Sequence, residues 1–288
     1  MARRGPLAAL LATALSAAAV LLASCGVPGT GGPGLTAAQE KAREVLGRAP
    51  TGLAKTVVDR GYVVVAVEPD YPPQSYVDRK TGEPAGFDVD VARRVGELLG
   101  LEVRFEQAPW PTVPTGLQRG RFDVSIGSLA PTPERERLLD FTRPYYYAIA
   151  QTFVRTGGPQ VTGPHDLDGQ TVGVVAGTTC YDYLRQHTSA RVTLYTSDAE
   201  LFRALRKGEV AFAVTSGASG QEAILGGAPI EFSGRPLYYE GLAAAVKKGE
   251  SDWLALLDWA VKTMHEDGSL SALSKKWFFG LDVTVKQT

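Results

Sequence analysis

Apolar positions along the chain change period repeatedly, and each change marks a predicted boundary between strand and helix. Residues 62–67 (YVVVAV) form an unbroken apolar run, the pattern of a strand buried on both faces. Residues 87–99 (FDVDVARRVGELL) carry apolar positions at helical intervals and stop at Gly100. A second strand is predicted over 101–105, a short helix opening at 113–117 and ending near Gly120, and a third strand over 122–126. This alternation predicts an α/β lobe with a mostly parallel sheet flanked by helices. The pattern then restarts, with a strand over 170–176, a helix from about Tyr181, a strand over 191–195, a helix over 199–205 and a strand over 210–214. Two such units predict two lobes. Extended apolar segments at 146–154 and 242–246 lie between them. If both cross, the first lobe is discontinuous and the C-terminal helices return to it. Open α/β sheets bind ligands at the carboxyl ends of their strands, so the site is expected in the cleft between the lobes.

The N-terminal region has a different grammar. Arg3 and Arg4 precede a run of mostly Leu, Ala and Val over 7–22, which closes on Leu22-Ala23-Ser24-Cys25-Gly26. A short apolar stretch ended by small residues reads as an export signal, and its end resembles the lipobox of bacterial lipoproteins, with Cys25 as the acylated residue. Residues 26–34 (GVPGTGGPG) are rich in Gly and Pro and read as a flexible tether. Residues 35–46 have helical spacing with Gly47 as a stop, and are expected to form a short surface helix before the main fold. The expected organisation is a lipoprotein signal peptide at 1–24, a tether at 25–34, an N-terminal helix and linker at 35–60, lobe 1 at 61–148 plus 243–288, and lobe 2 at 149–242.

Composition narrows the function by exclusion. A formal net charge of −1 over 288 residues carries no basic footprint for nucleic acid. The sequence shows no metal-ligand spacing, nucleophile elbow or phosphate loop, and His165, His187 and His265 stand apart from the patterned segments. Neither a cofactor nor a metal is expected. Lipidation at Cys25 would leave Cys180 as the single thiol, so the domain must rest on its core rather than on a disulfide.

Several segments occur in order and carry a further signal: VAVEPDYPPQSY at 65–76, GFDVD at 86–90, TPER at 132–135, DFTRPYY at 140–146, GTT at 177–179, DGS at 267–269 and KWF at 276–278. Together they resemble the polar amino-acid family of ABC-transporter solute-binding proteins over roughly residues 60–280. The resemblance implies the type II periplasmic-binding-protein fold, with two lobes joined by two crossing hinge strands. It also implies a receptor without catalysis. Its partners would be a small carboxylate-bearing ligand (an amino acid or analogue), an ABC permease and, through the lipid anchor, the outer face of the cytoplasmic membrane. The receptor is expected to be a monomer. Two other readings stand beside it: a sensing domain for a signalling partner, and an enzyme like the cyclohexadienyl dehydratases, for which Glu68 is the obvious acid.

Arg135 is the leading candidate for ligand binding. Thr132 can cap a helix with Pro133 at its first position, which puts Arg135 in the opening turn. A guanidinium offers parallel N–H donors that match a carboxylate, and the resemblance gives this Arg the ligand's α-carboxylate. Thr178 and Thr179 open a helix directly after a strand, where free N–H groups favour an anion. By the resemblance, Tyr71 and Trp110 set aromatic rings against the ligand, and Gln74 stands where an aromatic residue is common. Val175 stands at a position that is often polar. Tyr145, Tyr146 and Tyr147 read as lobe packing, and Cys180 as a buried small residue.

The family's ammonium clamp is altered. Where its members carry a second-lobe Asp and a first-lobe Ser or Thr, this chain has Ser216 and Ala130. Glu68, at the family's acidic position in lobe 1, is a candidate substitute, and Ser128 can offer its carbonyl and hydroxyl. This leaves open an ordinary amino acid held through Glu68, a ligand with its cation elsewhere, a delocalised or alkylated cation, or a ligand with none.

Overall fold

The computed structural model describes residues 34–286, so the signal peptide, the tether and Cys25 lie outside the described residues. Lobe 1 opens with two helices, α1 (Ala37–Leu46) and α2 (Gly52–Arg60), then strand β1 (Tyr62–Val67). A small three-stranded sheet follows, made of β2 (Asp70–Tyr71), β3 (Ser75–Val77) and β4 (Pro84–Ala85). Helix α3 (Phe87–Leu99), β5 (Glu102–Gln107), α4 (Val113–Gln118) and β6 (Val124–Leu129) continue the lobe. A long strand, β7 (Leu139–Arg155), leaves it. Lobe 2 contains β8 (Thr171–Val175), α5 (Thr179–His187), β9 (Arg191–Tyr195), α6 (Asp198–Lys207), β10 (Phe212–Ser216) and α7 (Gly217–Leu225). A second long strand, β11 (Ile230–Lys247), returns to lobe 1, and α8 (Ser251–Glu266) and α9 (Ser269–Trp277) close the fold.

All the main strands join one eight-stranded sheet in the order β5-β1-β6-β11-β7-β10-β8-β9. Its outer thirds are parallel: β1 pairs with β5 and β6, and β8 pairs with β9 and β10. The centre is the antiparallel pair β7 and β11. β6 reaches β11 at Ala243 and Ala245, and β10 reaches β7 from Ala150 to Phe153. Between those contacts, from Tyr146↔Leu242 to Ile149↔Tyr239, the two long strands pair only with each other. The sheet therefore narrows to a two-stranded neck, and the molecule is two-lobed about it.

The runs of β1 and β10 are apolar without alternation because both faces are covered. In β1, Val63 and Val65 enter one core while Ala66 enters the other. In β10, Phe212 and Val214 face one side of the lobe-2 sheet and Ala213 the other. That is the period-two geometry of a strand, with helices packed above and below.

The N-terminal helices correct one expectation. Helix α1 is no surface appendage: Ala38 and Ala42 sit in the lobe-1 core, and α2, which the pattern did not reveal, adds Ala54, Val57 and Val58. Small residues allow close approach to α8, and Arg48 and Thr51 secure the entry by hydrogen bonds to the Asp252 carboxylate. On the far side of the neck β11 bulges between Ser233 and Tyr238, opposite a single residue of β7, Gln151. The Gln151 side-chain amide donates to the carbonyls of Ser233 (3.1 Å) and Gly234 (3.2 Å), so the bulge leaves no loss there. Gly234 has φ 71°, and a Cβ there would lie 1.7 Å from the Val161 carbonyl oxygen. Only glycine fits.

Helix α8 ties lobe 1 together. Trp253 is 0% exposed, and its indole N–H donates to the Asp123 carbonyl at 2.9 Å. Trp253→Ala leaves a large void and a buried carbonyl without its donor. It should destabilise the protein by about 3–5 kcal/mol, read as a lowered urea midpoint at constant slope. An unchanged midpoint would show that α8 does not belong to the lobe-1 core.

Candidate functional site

The cleft opens where β1, β6, β8 and β10 end against the neck. It holds a pocket, partly open to solvent, of about 620 Å³ lined by residues that include Glu68, Tyr71, Trp110, Ser128, Ala130, Arg135, Val175, Thr178, Thr179 and Ser216. Thus ten of the eleven candidates read from the sequence meet in one cavity; Gln74 alone does not line it. It is 0% exposed and lies one layer back, donating its side-chain amide to Ser216 Oγ at 3.3 Å.

Arg135 reaches the cavity from a tighter support than predicted. The expected helix is a single 3-10 turn, Arg135–Arg137. Its N-cap is Glu134 rather than Thr132, although Thr132 Oγ1 still accepts from the Arg135 N–H at 3.3 Å. The guanidinium donates to the Ala130 carbonyl at 2.8 Å in lobe 1 and to the Gly177 carbonyl at 2.9 Å in lobe 2. It sits over the Trp110 ring at 5.7 Å, and the Trp110 indole N–H also donates to Gly177 O at 3.4 Å. Two side chains of lobe 1 therefore hold one carbonyl of lobe 2, and the cleft is closed.

Thr178 is the N-cap of α5. Its hydroxyl donates to Val175 O at 2.8 Å and accepts from the Tyr181 N–H. Thr179, the first helical residue, donates to Glu240 Oε1 at 2.9 Å. The N-terminal end of α5 thus faces the same space as Arg135, an arrangement that favours an anion between them.

Ser128 corrects a detail. Its hydroxyl donates to Asp88 Oδ2 at 2.7 Å and accepts from the Tyr146 hydroxyl at 2.7 Å. Tyr145 donates to the other Asp88 oxygen at 2.8 Å. The hydroxyl is therefore part of the lobe-1 core, which leaves the carbonyl as the group Ser128 can turn to a ligand. Its φ of 57° is unusual for a residue with a side chain and costs of order 1–3 kcal/mol. Burial pushes Asp88 up to about 7, against the pull of the Ser128 and Tyr145 hydroxyls.

Sequence reasoning missed two acids in this cavity, Asp198 and Glu240. Asp198 opens α6 directly after its cap, Ser197, and such a residue reads as an ordinary helix-terminal acid. Its Oδ1 accepts from the Thr215 hydroxyl at 2.7 Å. Its Oδ2 is buried and has no hydrogen-bond partner among the described residues. Burial pushes Asp198 up to about 6. Glu240 sits on β11 in the neck, paired across to Ala148. Burial raises it too, while the Thr179 hydroxyl and Arg135 pull it down. Glu68 follows β1, and its carboxyl rises to about 8, mainly through burial and then through the charges of Asp198, Asp70 and Asp88. The charged residues lining the cavity are therefore one guanidinium and three carboxyl groups.

Residues 63–280 match the profile of bacterial extracellular solute-binding proteins, family 3. The chain belongs to that family. The L-cystine-binding protein TcyJ of Escherichia coli (strain K12) is 30% identical over 239 residues, covering 82% of this chain and 89% of that protein. The ABC transporter glutamine-binding protein GlnH of Bacillus subtilis (strain 168) is 28% identical over 269 residues, covering 90% and 93%. Among solved structures, a mutant of ArgBP from T. maritima superposes with a TM-score of 0.75 at 26% identity, covering 79% of this chain and 100% of that one. The chain is a solute-binding protein and not an enzyme. His165, His187 and His265 lie apart from the cavity, and no helix among the described residues is long and apolar enough to cross a membrane.

Cys180 also lines the cavity. Burial pushes its thiol up to about 12, and a thiol without thiolate is a poor nucleophile. Iodoacetamide at pH 8 should leave Cys180 unlabelled in the native protein and label it in guanidinium chloride, as read by peptide mapping. Rapid native labelling would mean that the cleft opens far enough to ionise the thiol.

Proposed function

We propose that the protein is a lipid-anchored, extracytoplasmic receptor that captures an amino acid or close relative and delivers it to an ABC importer. The observation that carries this reading is Arg135, held at the cleft with one amino group donating to lobe 1 and the other to Gly177 of lobe 2. A ligand carboxylate would replace those carbonyls as a bidentate acceptor and receive the N-terminal N–H groups of α5 from the other side. The printed names of the relatives, which bind cystine and glutamine, agree with an amino-acid ligand. The two lobes would then rotate about the neck, with closure stabilised by contacts that the open form lacks. Attachment would come from acylation of Cys25.

Calorimetry against the common L-amino acids is the direct test, and at least one should bind. A charge-assisted hydrogen bond contributes about 1.5–3 kcal/mol, so Arg135→Ala should weaken that ligand by about 10–150-fold. A variant that binds as tightly as wild type would remove the carboxylate from this place. Anchoring has its own test. Wild type expressed in a bacterial host should incorporate labelled palmitate and fractionate with membranes, and Cys25→Ala should lose the label.

A further inference from the structure

We propose that Asp198 of lobe 2 and Glu68 of lobe 1 together form the cation receptor of the cleft, and that they select an amino acid with net positive charge. The inference rests on reading the cleft as an amino-acid site, and it goes beyond that reading by naming which groups meet the ligand's cations.

Three observations converge. Ser216 lines the cavity where the resemblance places a second-lobe Asp, so that position brings no charge. Asp198 lines the same cavity from the same lobe, 5% exposed, with Oδ2 lacking a hydrogen-bond partner among the described residues, because the nearby Ser219 hydroxyl donates instead to the Pro72 carbonyl at 3.3 Å. A buried carboxylate oxygen without a donor is costly, and a ligand cation in the cavity would supply that partner. Glu68 takes part in no ion pair or side-chain hydrogen bond among the described residues, yet it lies close enough to feel the Asp198 charge. Glu240 belongs to the other end, bound to Thr179 and drawn toward Arg135. One guanidinium therefore meets a ligand carboxylate, and the remaining acids meet cations. A net-neutral amino acid leaves negative charge uncompensated; a guanidinium or second ammonium compensates it.

Proton linkage separates this from a merely polar site. Burial pushes Glu68 up to about 8 and Asp198 up to about 6. The other groups facing this space are Asp70, Asp88, Glu240, Tyr71 and Arg135. A cation seated between the two acids lowers both, so binding releases protons. Affinity is then greatest above pH 8 and falls as pH drops, by about tenfold per unit for each proton released. L-Arginine tests this, since its guanidinium stays protonated from pH 6 to 8.

The experiment is calorimetry on the purified protein, Asp198→Asn and Glu68→Gln with L-arginine, L-lysine, L-glutamine, L-glutamate and L-cystine, at pH 8 and pH 6. Circular dichroism melts verify that the variants fold. The expected result is that arginine or lysine binds at least tenfold tighter than any neutral or acidic probe and weakens at pH 6. Either substitution should cost at least tenfold for the cationic ligand and flatten its pH dependence. A neutral or acidic probe binding tightest, or an undiminished cationic affinity in Asp198→Asn, overturns the cation receptor while the amino-acid reading stands. Silence from every probe overturns both.

Discussion

Everything in this molecule hangs on an antiparallel ribbon two strands wide. From Tyr146↔Leu242 to Ile149↔Tyr239, β7 and β11 pair with each other and with no third strand. Backbone hydrogen bonds run unbroken into both lobes, so the ribbon transmits position while resisting translation. A wider sheet would resist twisting, whereas two strands allow it. The bulge at Gly234, with its carbonyls met by Gln151, absorbs the extra residues beside the neck without exposing polar backbone. The carboxyl ends of the parallel strands in both lobes converge beside this ribbon. Rotation there changes the distance between Arg135 and Gly177 more than it changes anything within either lobe.

The closed cleft shows how an anion site can be kept ready. In the closed cleft the guanidinium of Arg135 has acceptors, since the Ala130 and Gly177 carbonyls occupy its donors, and the Trp110 face lies against it. Carbonyls are weaker partners than a carboxylate, so they hold the side chain in place without competing strongly for it. The core behind the site does comparable work. Asp88 is buried, yet Ser128, Tyr145 and Tyr146 form a satisfied network around it, and that network fixes the strained backbone of Ser128 at the cavity wall.

Much of this was legible in the sequence, for physical reasons that differ by element. The strand at 62–67 stood out because two-faced burial leaves a clear apolar run, and α3 because its apolar stripe ends on a glycine. Helix α2 was hidden because it is short and begins at Gly52, a residue of low helical preference. The small-residue face of α1 looked too weak to bury, although alanines are what close helix packing requires. Arg135, Thr178 and Trp110 could be placed through the motif register. Asp198 could not, because an acid after a serine at a helix start already has a sufficient local explanation. Glu240 was masked by a strand whose partner register only the folded sheet reveals. The altered clamp at Ser216 and Ala130 was visible as a loss; where the compensating charge came from was a question of tertiary structure.

Charge and closure then become one event. Glu68 and Asp198 stand on opposite lobes, so any rotation that shuts the cleft also brings two carboxylates into a shared, drying space. Without a cation between them, closure must either pay their repulsion or take up protons. With one, the same approach becomes attractive, and the dry cavity strengthens the attraction. Selectivity of this kind needs no steric fit at the far end of the ligand. A neutral amino acid can satisfy Arg135 and the α5 terminus as well as a cationic one. It is disfavoured because its single ammonium leaves negative charge uncompensated as the cleft closes, a cost built against the wrong partner rather than a gain reserved for the right one.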